Sequence, residues 1–213
     1  MQAGVEAWYI GRSMARAPRQ TSDRVLDIAE ALVQTRGFNA FSYADIARAV
    51  GIRKASLHHH FATKAELGVA LITRYRSAFL AALESIEAES DQAPERLEHY
   101  TALYGAVLRK GRMCMCGMLA ADVATLPRPM RTSIAGFFAE NESWLARVLA
   151  DGKKRGQIDF EGTPASMAAF FVSSLEGAML VARASGESNP FDDVVHHLLA
   201  RVPAAKSTRR KRR

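Results

Sequence analysis

The side chains best suited to chemistry in this chain are the cationic and hydrogen-bonding groups between residues 53 and 60. Arg53 and Lys54 open this stretch and His58 follows about one helical turn later, so on a helix the three can project toward one groove. Arginine and lysine donate hydrogen bonds to the acceptor atoms of guanine, and Ala55 suits contact with the methyl group of thymine. This pattern predicts contact with the base edges of duplex DNA.

Further polar side chains around this stretch are suited to phosphate groups. The predicted phosphate contacts are Ser42, Tyr43, Ser56, His59, His60 and Lys64. A helix start at Thr63 would also present unpaired amides to an anion. A solvated helix face is the alternative interpretation for each of these residues, and for Tyr43 the alternative is packing against the neighbouring helix.

Two short helices joined by a glycine are needed to present these side chains. Ser42 predicts a helix start because its hydroxyl can accept a hydrogen bond from a first-turn amide, and Asp45 places a favourable negative charge in that turn. The core face of this helix is Ile46, Ala47 and Val50. Gly51 permits a tight turn, and the helix at 53–60 turns Leu57 inward. Crossed helices of this kind place the second one in a DNA major groove.

This segment resembles the helix-turn-helix of the TetR family of bacterial transcriptional repressors. The matching residues are Ala29, Leu32, Gly37, Phe38, Phe41, Ser42, Ile46, Ala47, Val50, Gly51, Ile52, Leu57, His59, His60, Phe61, Lys64 and Leu67. Two positions depart from the usual pattern, since Ala55 stands where a glycine or another small residue is common and His58 stands where a tyrosine is common. The resemblance implies a homodimeric repressor that binds a double-stranded DNA operator and leaves it when a small-molecule effector binds.

Composition agrees with a protein that presents only part of its surface to nucleic acid. Residues 1–64 hold nine Lys/Arg against five Asp/Glu, residues 65–203 hold fourteen against seventeen, and the tail holds six against none. Cationic ends around a mildly acidic middle are expected when one end faces phosphates. The basic tail is expected to be disordered, adding salt-sensitive attraction to DNA or serving only as solvated surface.

The chain lacks a run of eighteen uncharged apolar residues and a secretory signal pattern, so we expect no membrane association. Its two cysteines cannot supply a disulfide framework, which suits the reducing cytoplasm.

Helical periodicity dominates the chain and predicts an all-α fold. The expected organisation is a flexible arm at 1–20, a three-helix DNA-binding domain at 21–67, a C-terminal domain of about six helices at 68–203, and a disordered tail at 204–213. Helices are predicted at 21–36, in the two short segments, and at 63–89, 91–110, 117–125, 129–155, 164–184 and 191–202. The helix from Thr63 connects the two domains.

The last two helices are apolar on most faces, which predicts burial or a partner chain. We expect a homodimer through helices near 164–184 and 190–202, in agreement with the resemblance. The C-terminal domain should enclose an effector pocket lined by some of Tyr100, Tyr104, Met113, Cys114, Met118, Phe137, Phe138, Trp144, Phe170 and Phe171. Plain core packing is the alternative for any one of them.

Cys114 and Cys116 lie in the segment CMCGMLAAD, which resembles a Cys-x-x-Gly segment of some TetR-like proteins. One interpretation is an adaptable core wall of Cys and Met residues. The other is a thiol sensor of electrophiles or oxidants at Cys114, with the nearby Arg109, Lys110 and Arg112 lowering the pKa of the thiol.

No metal site, cofactor or enzyme activity is expected from the sequence. Three consecutive histidines, His58–His60, point in three directions on a helix, whereas helical metal pairs need a spacing of three or four. The chain also shows no nucleophile elbow, phosphate-binding loop or dinucleotide fingerprint.

Overall fold

The computed structural model of the protein describes residues 20–204, and the arm and nearly all of the basic tail fall outside this range. Within the described residues the chain forms nine α-helices, two short 3-10 helices and no strand beyond one isolated β-bridge. The helices are α1 Thr21–Arg36, α2 Tyr43–Val50, α3 Lys54–His60, α4 Lys64–Glu89, α5 Ala93–Leu108, α6 Met115–Ala121, α7 Arg128–Lys154, α8 Pro164–Ser185 and α9 Asn189–Ala200. The predicted all-α fold is confirmed.

The first three helices enclose a small core. Val25, Val33, Ile46 and Leu57 are fully buried there and come from all three helices. Burial of a branched aliphatic side chain contributes about 1.5–3 kcal/mol, so these few residues hold short helices that would be marginal in isolation.

Helix α4 joins this small domain to the rest of the chain. Thr63 begins it as predicted, since its hydroxyl accepts a hydrogen bond from the Glu66 amide at 3.1 Å. The Glu66 carboxylate accepts instead from the amide of Ala62, at 3.1 Å. About two turns farther into α4, Arg74 makes ion pairs of 2.8 Å with Asp27 and 2.7 Å with Glu30, both on α1. These contacts fix α1 to the connector.

Helices α5 to α9 form the larger domain around the middle of α4. The central elements α7 and α8 pack against each other, and α9 packs on α8. Fully buried side chains such as Tyr100, Phe137, Phe171 and Leu175 fill the interior. The helix predicted at 117–125 differs from the structure, because α6 starts at Met115 and a separate 3-10 turn follows at Val123–Thr125.

Helix α8 is long and apolar enough to cross a membrane by length and composition alone, with 22 residues and a mean hydropathy of 1.6 in its most apolar window. Glu176 interrupts this helix, so the segment does not contain eighteen consecutive uncharged apolar residues. One face of α8 is buried within the domain through Ala168, Phe171, Leu175 and Met179. The opposite face, which includes Phe170, Leu180 and Val181, is exposed.

Candidate functional site

The turn between α2 and α3 is set by Gly51. Its backbone is left-handed, with φ 76°, and its amide donates to the carbonyl of Ala47 at 3.0 Å. The Ile52 amide donates to the same carbonyl, also at 3.0 Å. A residue with a side chain is strained in this conformation, so glycine allows α3 to leave α2 at a steep angle.

The start of α2 is closed by the predicted cap. Ser42 and Asp45 form a reciprocal capping box in which the Asp45 carboxylate accepts from the Ser42 amide at 2.8 Å. These hydrogen bonds from Ser42 hold the pKa of Asp45 below its ordinary value. At the other end of α2, the Arg24 guanidinium donates to the carbonyl of Val50 at 2.7 Å. Helix α2 is thus held at both ends, which fixes the platform for α3.

Helix α3 presents its polar face to solvent and buries Leu57 completely. Arg53 is the residue before the first turn rather than part of the helix, with an extended backbone (φ −73°, ψ 146°). Arg53 and Lys54 are exposed, and their side chains have no hydrogen-bond partner among the described residues. Ala55, Ser56, His59 and His60 are exposed as well. This face can enter a groove without first breaking internal contacts.

Tyr43 and His58 pack against each other at the junction of α2 and α3. The ring centroids are 4.7 Å apart, and the Tyr43 hydroxyl donates to the carbonyl of Phe61 at 2.9 Å. Burial raises the pKa of Tyr43 to about 12, with Glu66 contributing. His58 Nδ1 lies 3.1 Å from the carbonyl oxygen of Ala62. The geometry favours the packing interpretation for Tyr43 and fixes the ring of His58 at the end of α3.

The structure places Lys64 differently from the predicted phosphate contact. Its ammonium donates to the carbonyls of Phe38 at 2.6 Å and Phe41 at 2.5 Å, and lies 4.6 Å and 4.3 Å from the centroids of the same two rings. Partial burial lowers the pKa of Lys64 from its ordinary value. Through these contacts with two carbonyls and two aromatic faces, the Lys64 ammonium joins α4 to the loop before α2. The position of Lys64 in the sequence did not indicate this role.

The interior of the larger domain contains a hydrogen-bonded network that joins α5 to α7. The Tyr100 hydroxyl donates to the Asn141 side-chain oxygen at 2.7 Å, and the Asn141 amide donates to the Tyr104 hydroxyl at 2.9 Å. Trp144 stacks on Tyr100 with centroids 5.6 Å apart. Burial raises the pKa of both tyrosines, so they are neutral donors and acceptors at any physiological pH.

Most of the predicted pocket residues are brought together in this interior. Tyr100, Tyr104, Met113, Cys114, Phe137, Trp144 and Phe171 are buried, and Met118 and Phe138 are partly buried. Phe170 does not line this interior as predicted, because 45% of it is exposed and it borders an outer groove together with Val181 and Val194. The helical turn separates neighbours by about 100°, so Phe171 faces inward while Phe170 faces outward. The sequence prediction missed Asn141 and Glu176, which are polar residues within otherwise apolar helical faces.

The environment of Cys114 is acidic and apolar rather than cationic. Its Sγ accepts a hydrogen bond from the Tyr75 hydroxyl at 3.8 Å and lies near the Glu176 carboxylate. Burial, followed by the proximity of Glu176, raises the pKa of the Cys114 thiol well above its ordinary value. The prediction that Arg109, Lys110 and Arg112 lower this pKa is therefore wrong.

The absence of a side chain at Gly117 leaves space for the Glu176 carboxylate beside Cys114. A Cβ atom at position 117 would lie 2.1 Å from Glu176 Oε2, which is far inside van der Waals contact. Glu176 is only partly buried as a residue, yet its Oε1 has no exposed surface and no hydrogen-bond partner. Burial raises its pKa from 4.5 to about 7. The segment Cys114–Gly117 thus accommodates a carboxyl group whose pKa burial raises toward neutrality.

Comparisons with known proteins agree with this architecture. Residues 25–71 match the model for bacterial regulatory proteins of the tetR family, and residues 87–198 match the tetracyclin repressor-like C-terminal domain. The transcriptional regulator AcuR of Cereibacter sphaeroides is 26% identical over 159 residues, covering 73% of each chain. The repressor NemR of Escherichia coli is 24% identical over 182 residues, covering 84% of this chain and 92% of NemR.

Solved structures show the same fold. A TetR-family regulator from Agrobacterium tumefaciens superposes with a TM-score of 0.84 at 33% identity, over 88% of this chain and all of that one. The reduced form of E. coli NemR superposes with a TM-score of 0.78 at 23% identity, again over 88% of this chain and all of that one. With both domains matched and the helix-turn-helix in place, the chain belongs to the TetR family and is a DNA-binding transcription regulator.

Proposed function

We propose that this protein is a homodimeric repressor that reads a near-palindromic operator through α3 and leaves it when a small molecule binds the larger domain. The observation that carries this proposal is the exposed pair Arg53 and Lys54, which have no side-chain partner within residues 20–204 and lie at the start of a helix anchored by Leu57. Two such helices related by a two-fold axis would read two half-sites about one DNA turn apart.

The test is operator binding by Arg53→Ala and Lys54→Ala. Each variant should lose about 1–3 kcal/mol of binding to the operator and relax the base preference at one position, if the side chain contacts a guanine. The assay is fluorescence anisotropy on an operator selected from random duplexes and on its single-base variants. Arg147→Ala is the matched control, since it removes an exposed cation from α7. Unchanged affinity and base preference in both variants would reject this reading face.

The proposed dimer surface lies on α8 and α9. Phe170, Leu180 and Val181 are 45%, 52% and 58% exposed on α8, a large apolar exposure for one helix. Phe170 and Val181 border a groove of about 450 Å³ whose floor includes Gly177 and Ala178. Small residues allow a second helix to approach closely, and apolar surface of this kind is normally covered in solution. We therefore assign the groove to a second copy of the chain.

Val181→Glu tests this assignment by burying a charge at the proposed interface. The variant should shift the protein from dimer to monomer in light scattering. It should also weaken operator binding, because a monomer contacts only one half-site at a time. Val123→Glu is the control, since Val123 is 41% exposed on a turn outside α8 and α9. A dimer that persists in Val181→Glu would place the interface elsewhere.

Effector binding is proposed to act by a shift between two arrangements of the domains. A ligand that prefers the arrangement with misplaced α3 helices lowers operator affinity by its differential affinity, typically about 1–3 kcal/mol. The Tyr100–Asn141–Tyr104 network supplies polar groups within an aromatic interior, which is the composition of a small-molecule site. Helix α4 runs from this interior to the DNA-binding domain and is the proposed lever.

A second candidate function is thiol sensing at Cys114. The observation that favours it is the Glu176 carboxyl beside the thiol, which is placed to take up the thiol proton as sulfur attacks an electrophile, while the resting thiol stays protonated because its pKa is raised. Cys114→Ser should keep operator binding and lose release by iodoacetamide, whereas Cys116→Ser should retain that release. Intact-mass measurement locates the adduct. Release that survives in Cys114→Ser would leave packing as the role of this residue.

A further inference from the structure

A second cavity lies on the larger domain, and two of its lining residues, Met113 and Arg183, also contact the end of α1. It has a volume of about 490 Å³ and is bordered by the turn after α5 and by the end of α8. Its cationic lining groups are Arg109, Arg112 and Arg183, with Glu187 as the one acidic group among the lining residues. Leu108 and Met113 add apolar surface to the wall. The cavity therefore combines positive charge with room for a hydrocarbon part.

The three arginines of this cavity carry more positive charge than the negative groups around it neutralise. Helices α5 and α8 both end at this cavity, and each helix C-terminus carries about half a negative charge. Together with Glu187 and with the end of α1, which meets Arg183, these ends amount to roughly two and a half negative charges against three guanidinium groups. Arg109 and Arg112 also have no hydrogen-bond or ion-pair partner within residues 20–204. A surplus of unpaired guanidinium groups in a concave site favours an anion.

One wall of the cavity is also the contact between α8 and the DNA-binding domain. The Arg183 guanidinium donates to the carbonyls of Gln34, at 3.2 Å, and Thr35, both in the last turn of α1. The Met113 amide donates to the same Gln34 carbonyl at 3.1 Å. A group that binds Arg183 in the cavity therefore competes with the end of α1.

This contact leaves polar atoms of a buried side chain without hydrogen bonds among the described residues. The Gln34 side chain has no exposed surface, and neither of its amide atoms has a hydrogen-bond partner among the described residues. A buried amide left unpaired raises the free energy of the arrangement that contains it. The end of α1 is thus held by polar bonds from Arg183 and Met113 beside a buried amide that opposes this arrangement.

We propose that this cavity binds a small organic carboxylate with an apolar body, and that the carboxylate takes the Arg183 guanidinium from the carbonyls of Gln34 and Thr35. Arg109 and Arg112 supply the remaining donors, while Leu108 and Met113 cover the apolar part. Loss of the Arg183 bonds releases the end of α1 from α8 and changes the position of the DNA-binding domain. The proposal rests on the proposed regulator function, since its output is operator affinity.

The binding experiment uses the full chain without DNA and octanoate as the probe, with inorganic phosphate and 1-octanol as comparison ligands. Calorimetry should show saturable binding of octanoate and not of 1-octanol. Arg109→Gln/Arg112→Gln should weaken octanoate binding about tenfold or more, and Glu187→Gln should strengthen it, because one lining negative charge is removed. Arg147→Gln is the matched control and should leave binding unchanged. Circular dichroism confirms that each variant is folded.

The coupling experiment measures operator affinity with and without octanoate. Saturating octanoate should lower the affinity of the wild type about fivefold or more. Arg183→Gln should show this lowered affinity without ligand and should no longer respond to octanoate. Phosphate binding without octanoate binding would assign the site to a compact inorganic anion and overturn the apolar part of the proposal.

The absence of saturable binding by either anion up to about 10 mM, a range that registers millimolar Kd values, would overturn the site. Failure of the wild type to bind any operator would reject the regulator function, while the calorimetric result would still decide whether the anion site exists.

Discussion

Lys64→Met tests whether Lys64 holds the DNA-binding domain together or contacts DNA. Methionine keeps most of the apolar stem but removes an ammonium that donates to two carbonyls and faces two rings. A hydrogen bond to a charged group contributes about 1.5–3 kcal/mol, and a cation–π contact at an accessible site about 0.5–1 kcal/mol. Lys64 is only partly buried and pays a desolvation cost, which its lowered pKa reflects. These opposing effects leave a net loss of about 2 kcal/mol.

Urea unfolding and calorimetry measure this loss. For a chain of 213 residues, about 2 kcal/mol corresponds to a decrease in Tm of roughly 4–8 °C. Lys54→Met is the matched control, because Lys54 is exposed without a partner among the described residues, and its stability should change by less than about 0.5 kcal/mol. Suppose instead that Lys64→Met keeps its stability, binds all duplexes more weakly, and loses about one unit of salt dependence. That result would refute the structural role and restore the phosphate contact.

Three further predictions concern groups that the fold places in unusual surroundings. Tyr43→Phe should lower the free energy of unfolding by about 1 kcal/mol in urea titrations, since the Phe61 carbonyl loses its donor. Burial raises the pKa of Glu176 from 4.5 to about 7, so the folded state binds the proton more tightly and stability falls as pH rises between these values. Glu176→Gln should abolish this slope and gain up to about 3 kcal/mol above pH 7, as read from unfolding at several pH values. Gly117→Ala should cost about 1–3 kcal/mol through its clash with Glu176, and much less in a Glu176→Ala background, which a double-mutant cycle measures.

Local signals along the chain were sufficient to predict the helix-turn-helix. Three local signals indicate the two helices and their turn: a hydroxyl before an apolar repeat, a glycine after it, and a buried leucine in the next helix. These residues lie within about one or two turns of each other, so no distant contact is needed to interpret them. The bounds of α1, α3 and α8 agree with the prediction to within about two residues. The exposed face of α3 follows from the same periodicity.

Side-chain partners that lie far apart in sequence escaped this reasoning. Lys64 was assigned to phosphate because its type and neighbourhood suit an anion, yet its partners are carbonyls 23 and 26 residues earlier. The charge environment of Cys114 was inferred from neighbouring cations, whereas the group that contacts it is Glu176 on another helix. Phe170 was grouped with the effector-pocket residues because helix α8 is apolar on both sides, and only packing decides which side faces inward.

The sequence by itself determined the helical class, the helix-turn-helix and the exposed cationic face of α3, because each depends on periodicity and on residues close in the chain. Tertiary structure decided which polar groups meet: Lys64 with two carbonyls, Cys114 with Glu176, and Arg183 with the end of α1. The physical reason is that burial and pairing depend on helices brought together by packing, and these set both the pKa of a group and the partners it can reach.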